Sequence, residues 1–209
     1  MESLDPTMIL SREEVMAVIQ DLRRRAKRSI SSRMNLAIFR LSACCGLRCK
    51  EIQGIEADDF ILGGARPILR VRKAITKGRE DQRKARKVPL WWDKGTYSDL
   101  AAWLDEARRN TGLSNPLVIH NLREGSIGKQ LCRRVVAARW TTAISVLGPD
   151  RVKQLSIHKG RHTFISHALH AGHSLPAVRD AAGHASINRT SIYLHAINDD
   201  KVPDIFSEE

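Results

Sequence analysis

The spacing of apolar and polar residues first predicts a helix that begins after Ser11. Ser11 is followed three positions later by Glu14, which is the pattern of a capping box. The apolar residues that follow recur at the helical period, namely Val15, Ile19 and Leu22. This helix ends in a basic run, residues 23–28, which fits either a solvated helix end or a surface that contacts phosphate.

Further helices are predicted by the same period. Residues 34–45 are apolar on nearly every side, which is typical of a buried helix, and Gly46 ends it. The other predicted helices each carry an apolar face and stop near a glycine: 98–109, 127–147, 158 to Gly172, and 174 to Gly183.

Between these helices the apolar period changes from that of a helix to that of strands. Residues 60–62, 68–72 and 86–90 are predicted strands, and Gly78 with its polar neighbours predicts a hairpin loop. We therefore expect an α+β fold, mostly α-helical, with a small antiparallel three-stranded sheet. We expect one domain over 1–209, with a disordered N-terminus at 1–9 and a C-terminal tail at 197–209.

Composition points to a polyanionic partner. The 209 residues carry a formal net charge of +12, with a pI near 10.1. Such an excess favours nucleic acid, although an anionic membrane surface or solubility alone would also explain it. No apolar run reaches the roughly 20 residues that span a bilayer, and no signal-peptide core is present, so we expect a cytoplasmic, nucleoid-associated protein without membrane contact.

The cysteines do not indicate a metal site. Cys44, Cys45, Cys49 and Cys132 lack the paired spacing of zinc ligands. We expect reduced, packed thiols and no bound metal.

Four residues suited to phosphoryl chemistry lie near the C-terminus: His158, Arg161, His184 and Tyr193. A tyrosine hydroxyl can attack phosphorus, and an arginine fork can grip two phosphate oxygens as charge develops on them. The phenol has an ordinary pKa of about 10, so it needs a base or a positive field. Taken singly, each residue is typical of a solvated face, a turn or a packing position.

In this order and spacing, the four residues resemble the catalytic box of the tyrosine recombinases, the family of phage integrases and Xer-type recombinases. The similar segments are His158-Lys159-Gly160-Arg161-His162-Thr163-Phe164, Gly183-His184 and Ser191-Ile192-Tyr193. Upstream, Gly46-Leu47-Arg48 followed by Glu51 resembles the first catalytic arginine of the family and its supporting acid, and Lys77-Gly78 resembles its hairpin lysine. Gly160 departs from the family, which more often has leucine there. The resemblance covers about residues 8–196.

The resemblance implies the fold of a tyrosine-recombinase catalytic domain and a set of roles. The implied catalytic residues are Arg48, Lys77, His158, Arg161, His184 and Tyr193, with Glu51 in support. Lys77 would protonate the departing 5′ oxygen, with Lys73 and Lys84 as alternatives because the loop is longer than usual. His158 would donate to phosphate or accept the tyrosine proton.

The implied reaction is transesterification on double-stranded DNA through a 3′-phosphotyrosyl intermediate, without metal, nucleotide or other cofactor. Members usually carry a preceding core-binding domain, which we expect to be absent from 1–209. They also assemble on DNA as dimers or tetramers, and Ile205 and Phe206 could dock on a neighbouring subunit or back on their own domain. The alternatives are a topoisomerase-like relaxing enzyme and a catalytically silent DNA-binding module.

Two groups of cations are candidates for contact with DNA. The first surrounds the hairpin: Arg72, Lys73, Arg79, Arg83 and Lys84. The second lies on the predicted helix 127–147: Lys129, Arg133, Arg134 and Arg139. Such cations would neutralise backbone phosphates, although the hairpin group also fits a charge-protected sheet edge.

Overall fold

A computed structural model describes residues 6–76, 84–184, 188–191, 193 and 205–206. The helices are α1 (Arg12–Ala26), α2 (Ile30–Phe39), α3 (Cys49–Gly54), α4 (Lys94–Thr111), α5 (Arg133–Ala143), α6 (Pro149–Gln154), α7 (Ile157–His170), α8 (Leu175–Ala182) and α9 (Asn188–Ser191). The strands are β1 (Phe60–Ile61), β2 (Ile68–Val71) and β3 (Arg86–Pro89). The predicted α+β class is confirmed. In the described part of the chain, no helix is both long enough and apolar enough to cross a membrane.

The first helix begins as predicted. The Ser11 side chain accepts from the Glu14 amide, and the Glu14 carboxylate accepts from the Ser11 amide. Residues 6–9 differ from the predicted disordered terminus, because Ile9 is buried and the carbonyls of Thr7 and Ile9 both accept from Arg151. The chain is thereby fastened to the domain ahead of α1.

The predicted buried helix at 34–45 consists of two parts. After α2, residues Arg40–Cys44 form a π-helix, and the Leu47 amide then donates to the Leu41 carbonyl at 2.9 Å. Arg40 is fully buried, and its guanidinium forms ion pairs with Asp93 and Asp99. These pairs attach the wider turn to α4, so the chain leaves the core at a fixed point just before Arg48.

The three strands form the predicted antiparallel sheet, in the order β1-β2-β3. Phe60 pairs with Leu69, and Leu69 pairs with Val88. These residues are buried, which fixes the register because a slip by one residue would expose them. Val71 pairs with Arg86 at the end of the sheet from which the predicted hairpin loop departs.

The predicted helix at 127–147 is wrong over its first part. The helix is α5, which begins at Arg133. Residues 127–128 form a turn, and residues 129–132 are irregular, with His120 and Gln130 in an isolated bridge. Gly128 has a φ of +81°, which is incompatible with a right-handed helix. Leu131 is buried in this irregular segment, so the sequence has an apolar residue here at helical spacing although the backbone is not helical.

The C-terminal residues that the structure describes lie against their own domain. The Ile205 amide donates to the Trp92 carbonyl, the Ile205 carbonyl accepts from Arg12, and Phe206 contacts the ring of His167. These contacts correspond to the expected alternative in which the tail docks back on the domain. Contact with a neighbouring subunit stays a prediction.

Helix α7 packs on the π-helix at unusually short range through Gly160. A Cβ at Gly160 would collide with Ser42 Oγ and lie 2.7 Å from the Trp140 ring. Ser42 Oγ meanwhile donates to the Ile157 carbonyl at 2.8 Å. The glycine that departs from the family pattern therefore sets the distance between α7 and the segment that leads to Arg48.

Gly160→Ala is expected to destabilise the protein by about 1–3 kcal/mol, because the methyl group overpacks a rigid contact. The matched control is Gly63→Ala, since a Cβ at Gly63 meets nothing within 4 Å. Urea unfolding of the three proteins measures both effects. Equal unfolding midpoints for wild type and Gly160→Ala would show that α7 and the π-helix accommodate the methyl group without loss of stability.

Candidate active site

Arg161 joins three segments of the chain. It projects from α7 and is only 2% exposed. One terminal nitrogen, Nη1, donates to the Gly46 carbonyl at 2.6 Å, and the other donates to the Ala182 carbonyl. Burial lowers the pKa of Arg161, and the nearby cations Arg48 and Arg86 lower it further. The guanidinium is thus fixed in orientation, with an unbalanced positive charge.

Glu51 is the buried counter-charge of this cluster. Its carboxylate accepts from both terminal nitrogens of Arg86 at 2.8 Å, and from the backbone amide and side chain of Arg48 at 2.7 and 3.1 Å. Burial raises the pKa of Glu51, but the contacts with Arg86 and Arg48 outweigh it and hold the pKa below its ordinary value. Glu51 therefore stays ionised and orients Arg48 at the N-terminus of α3.

Arg86 is a site residue that the sequence analysis missed. It lies at the start of β3, and besides Glu51 it binds the Ala181 carbonyl through Nε at 2.9 Å. Its side chain also fills the space beside Gly183, where a Cβ would lie 2.7 Å from Arg86 Cδ. The sequence offered no distinct signal, because Arg86 stands in a run of similar cations.

The hydroxyl of Tyr193 lies at hydrogen-bonding distance from His162, with 2.5 Å between Oη and Nδ1. The ring of His162 contacts the ring of His158 edge-on, at a centroid distance of 4.8 Å. Burial raises the pKa of Tyr193, and the charge of Arg161 partly opposes this. His162 is therefore a second residue that the sequence analysis missed, although it stood within the quoted motif.

His184 lies on the other side of the tyrosine. Its ring is stacked on that of Tyr193 at a centroid distance of 6.4 Å, and its Nδ1 lies 3.0 Å from Thr190 Oγ1. Thr190 is fully buried, so its hydroxyl fixes the orientation of the imidazole. The structure thus brings Arg48, Arg161, His184 and Tyr193 into one cluster, with His158 at its exposed edge.

The candidate DNA-contacting cations fall into three groups. Exposed side chains are those of Lys73, Lys84, Lys129, Arg133 and Arg134. Arg72 instead binds Glu56, Asp59 and the Gly54 carbonyl, and Arg139 binds Asn35, so internal partners occupy both guanidinium groups. Lys77, Arg79 and Arg83 lie outside the described residues.

Removing Arg86 should destabilise the fold by about 3–5 kcal/mol, because Arg86→Met leaves a buried carboxylate short of its main partner. Lys87→Met, which alters an exposed cation on the same strand, is the matched control. Unfolding in urea at neutral pH measures both. Equal stability of the two variants would contradict the importance of the Glu51–Arg86 pair.

The same pair predicts a pH dependence. Because the folded state lowers the pKa of Glu51, its contribution is complete above the unfolded value of about 4.3 and is lost as pH falls through the lower folded value. The difference in stability between wild type and Glu51→Gln should therefore shrink below about pH 4.3. A difference in stability that is constant down to pH 3 would show that folding does not lower the pKa of Glu51.

Comparison with known proteins places this geometry in a family. Residues 9–199 match the model of the phage integrase family. The tyrosine recombinase XerC of Corynebacterium glutamicum is 32% identical over 162 residues, which cover 78% of this chain and 46% of that protein. XerC of Haemophilus influenzae is 31% identical over 76% of this chain and 48% of its own length. The chain therefore spans about half the length of these relatives.

Solved structures agree with this assignment. XerH site-specific recombinase bound to its difH substrate before cleavage superposes with a TM-score of 0.70 at 25% identity, over 92% of this chain and 51% of that one. XerA recombinase superposes with a TM-score of 0.68 at 22% identity, over 91% of this chain and 61% of that one. The chain belongs to the phage integrase family, and its fold is that of a tyrosine-recombinase catalytic domain.

Proposed function

We propose that this domain cuts and rejoins strands of double-stranded DNA by transesterification, as a site-specific recombinase. The observation that carries the proposal is the hydrogen bond between the Tyr193 hydroxyl and His162, the residue next to Arg161, whose buried guanidinium is fixed by two backbone carbonyls. Family membership, the XerC relatives and the net charge of +12 support it.

In the proposed reaction, Tyr193 Oη bonds to a backbone phosphorus and the 5′ oxygen leaves. The product is a 3′-phosphotyrosyl bond, which keeps the energy of the phosphodiester for rejoining. Arg161 and Arg48 donate to the non-bridging oxygens, and His184 donates to the same phosphate. A well-placed donor of this kind contributes about 3 kcal/mol to the transition state.

The departing 5′ oxygen needs a proton, which we assign to Lys77. The lysine lies outside the described residues, between β2 and β3, whose adjoining ends hold Arg86 beside Glu51. Lys73 and Lys84 remain the alternatives for this role.

The exposed cations are proposed to hold the DNA backbone across this pocket. Helix α5 begins beside α3, where Cys49 Sγ lies 3.9 Å from the Arg133 carbonyl, so Arg133 and Arg134 are close to the exit from Arg48. The expected partners are double-stranded DNA and further copies of the chain assembled on it. A nucleoid-associated location follows from that activity.

The central prediction concerns a covalent adduct. A library of nicked duplexes with randomised sequence should form a protein–DNA adduct that resists detergent, and Tyr193→Phe should abolish it. Tyr97→Phe is the matched control because the chain has two tyrosines and Tyr97 lies on α4, away from the pocket. An adduct that persists in Tyr193→Phe, or is lost in Tyr97→Phe, would refute the assignment.

DNA binding should depend on salt through the α5 cations. The double variant Arg133→Ala and Arg134→Ala should lower the slope of log affinity against log salt by about 0.9 for each phosphate contact removed. Lys153→Ala, at an exposed cation on α6, should leave the slope unchanged. Fluorescence anisotropy at several salt concentrations measures the slopes, and equal slopes would exclude α5 from the DNA surface.

A second outcome of the adduct experiment separates the rival functions. Binding without any adduct would favour a catalytically silent module. Adduct formation with relaxation of supercoiled plasmid, but without strand exchange between duplexes, would favour a topoisomerase-like enzyme. The hydrogen bond to the Tyr193 hydroxyl favours an active nucleophile over the silent module.

A further inference from the structure

A histidine to which the family resemblance gives no role lies within hydrogen-bonding distance of the candidate nucleophile. His162 follows Arg161 on α7, is partly buried, and presents Nδ1 to Tyr193 Oη at 2.5 Å. The two rings lie at a centroid distance of 5.5 Å and at 29° to one another. The family resemblance implies His158 as an acceptor of this proton, and the His158 ring contacts that of His162.

The protonation state of His162 suits an acceptor. Burial and the neighbouring charges of His158, Lys159 and Arg161 together lower its pKa to about 4. At neutral pH the imidazole is therefore uncharged, and in the tautomer that carries its proton on Nε2 it presents Nδ1 as an acceptor for the phenolic proton. A phosphate bound at Arg161 would offset these cations, and the imidazole would become more basic when substrate is present.

We propose that His162 Nδ1 takes the phenolic proton of Tyr193 as Oη bonds to phosphorus, a role that rests on the strand-transfer function proposed above. The Oη–H bond breaks as the Oη–P bond forms, and the P–O5′ bond breaks with its electron pair on O5′. That oxygen takes its proton from the acid assigned to Lys77. In rejoining, the imidazolium returns the proton to the departing phenol.

The other two histidines are less well placed for this transfer. His184 directs Nδ1 to Thr190, and its ring is stacked on the tyrosine ring at a centroid distance of 6.4 Å. His158 is exposed at the start of α7, and its ring contacts that of His162 edge-on. Their positions suit donation to phosphate, whereas His162 touches the reacting oxygen.

The test measures single-turnover adduct formation on nicked DNA for the wild type, His162→Ala, His162→Asn and His170→Ala. His162→Asn keeps a polar atom near the position of Nδ1 but cannot take the proton, so it separates orientation from proton transfer. His170→Ala removes an imidazole from the far end of the same helix and is the control. Thermal unfolding of each variant, and its affinity for DNA, are measured alongside.

We expect both His162 variants to form the adduct about 10²–10⁴ times more slowly, with DNA affinity retained, as is usual for the loss of a general base. Their rates should rise with pH, because ionisation of the phenol must then come from solution, whereas the wild-type rate is flat near neutrality. Added imidazole should accelerate His162→Ala and leave His170→Ala unchanged.

A wild-type rate in His162→Asn, with a flat pH profile, would overturn the proposal and leave His162 an orienting contact. The same conclusion follows if His162→Ala is slow, insensitive to pH and not rescued by imidazole. Absence of an adduct in the wild type overturns the strand-transfer function itself, and the role of His162 falls with it. The two failures are therefore distinguishable.

Discussion

One buried carboxylate allows three arginines to lie together in this pocket. Glu51 binds Arg86 and Arg48 directly and offsets the charge near Arg161, so it lessens a repulsion that burial would otherwise magnify. Arg161 itself is held by backbone carbonyls, which satisfy its donors without cancelling its charge. The pocket is therefore rigid and still electropositive. These are the two properties that stabilise a phosphoryl transition state, since preorganised donors need no reorientation as charge develops.

The rigidity of that pocket depends on unusual backbone at the exit from the core. The π-helix at Arg40–Cys44 and the positive φ of +66° at Gly46 turn the chain so that the Gly46 carbonyl points at Arg161. A Cβ at Gly46 would lie 3.0 Å from Phe164 Cε1, so only glycine fits on the face of α7. The buried ion pairs of Arg40 hold the same turn from the opposite side. The local backbone conformation and the buried ion pairs of Arg40 together fix the position of the Gly46 carbonyl oxygen.

Periodicity and capping chemistry were sufficient to predict the helices α1, α4, α7 and α8 and the three strands, because each buries one regular face. They failed where a tertiary contact overrides the pattern. Leu131 is apolar at helical spacing yet lies in an irregular segment, since Gly128 breaks the helix and the Gln53 side chain donates to the Leu131 carbonyl. In the site, Arg48, Arg161 and Tyr193 could be predicted from the spacing of the family motifs. Arg86 and His162 could not be predicted as site residues, because their roles depend on tertiary contacts shorter than 3 Å. Neither the run of cations around Arg86 nor the pair of histidines on α7 indicates those contacts in the sequence.

The placement of Tyr193 also determines when it can react. Burial raises the pKa of its hydroxyl, so the free protein holds the nucleophile protonated. Burial and the nearby cations also lower the pKa of His162, so this histidine does not remove the proton. In the proposed mechanism, a bound phosphate changes the second condition. Its negative charge offsets the cations that depress the basicity of His162, and it positions phosphorus against the phenol oxygen. In the proposed mechanism, the positive field that attracts the DNA backbone therefore keeps His162 a weak base until the backbone arrives, which limits proton transfer from Tyr193 to the time when a phosphate is bound by the arginines.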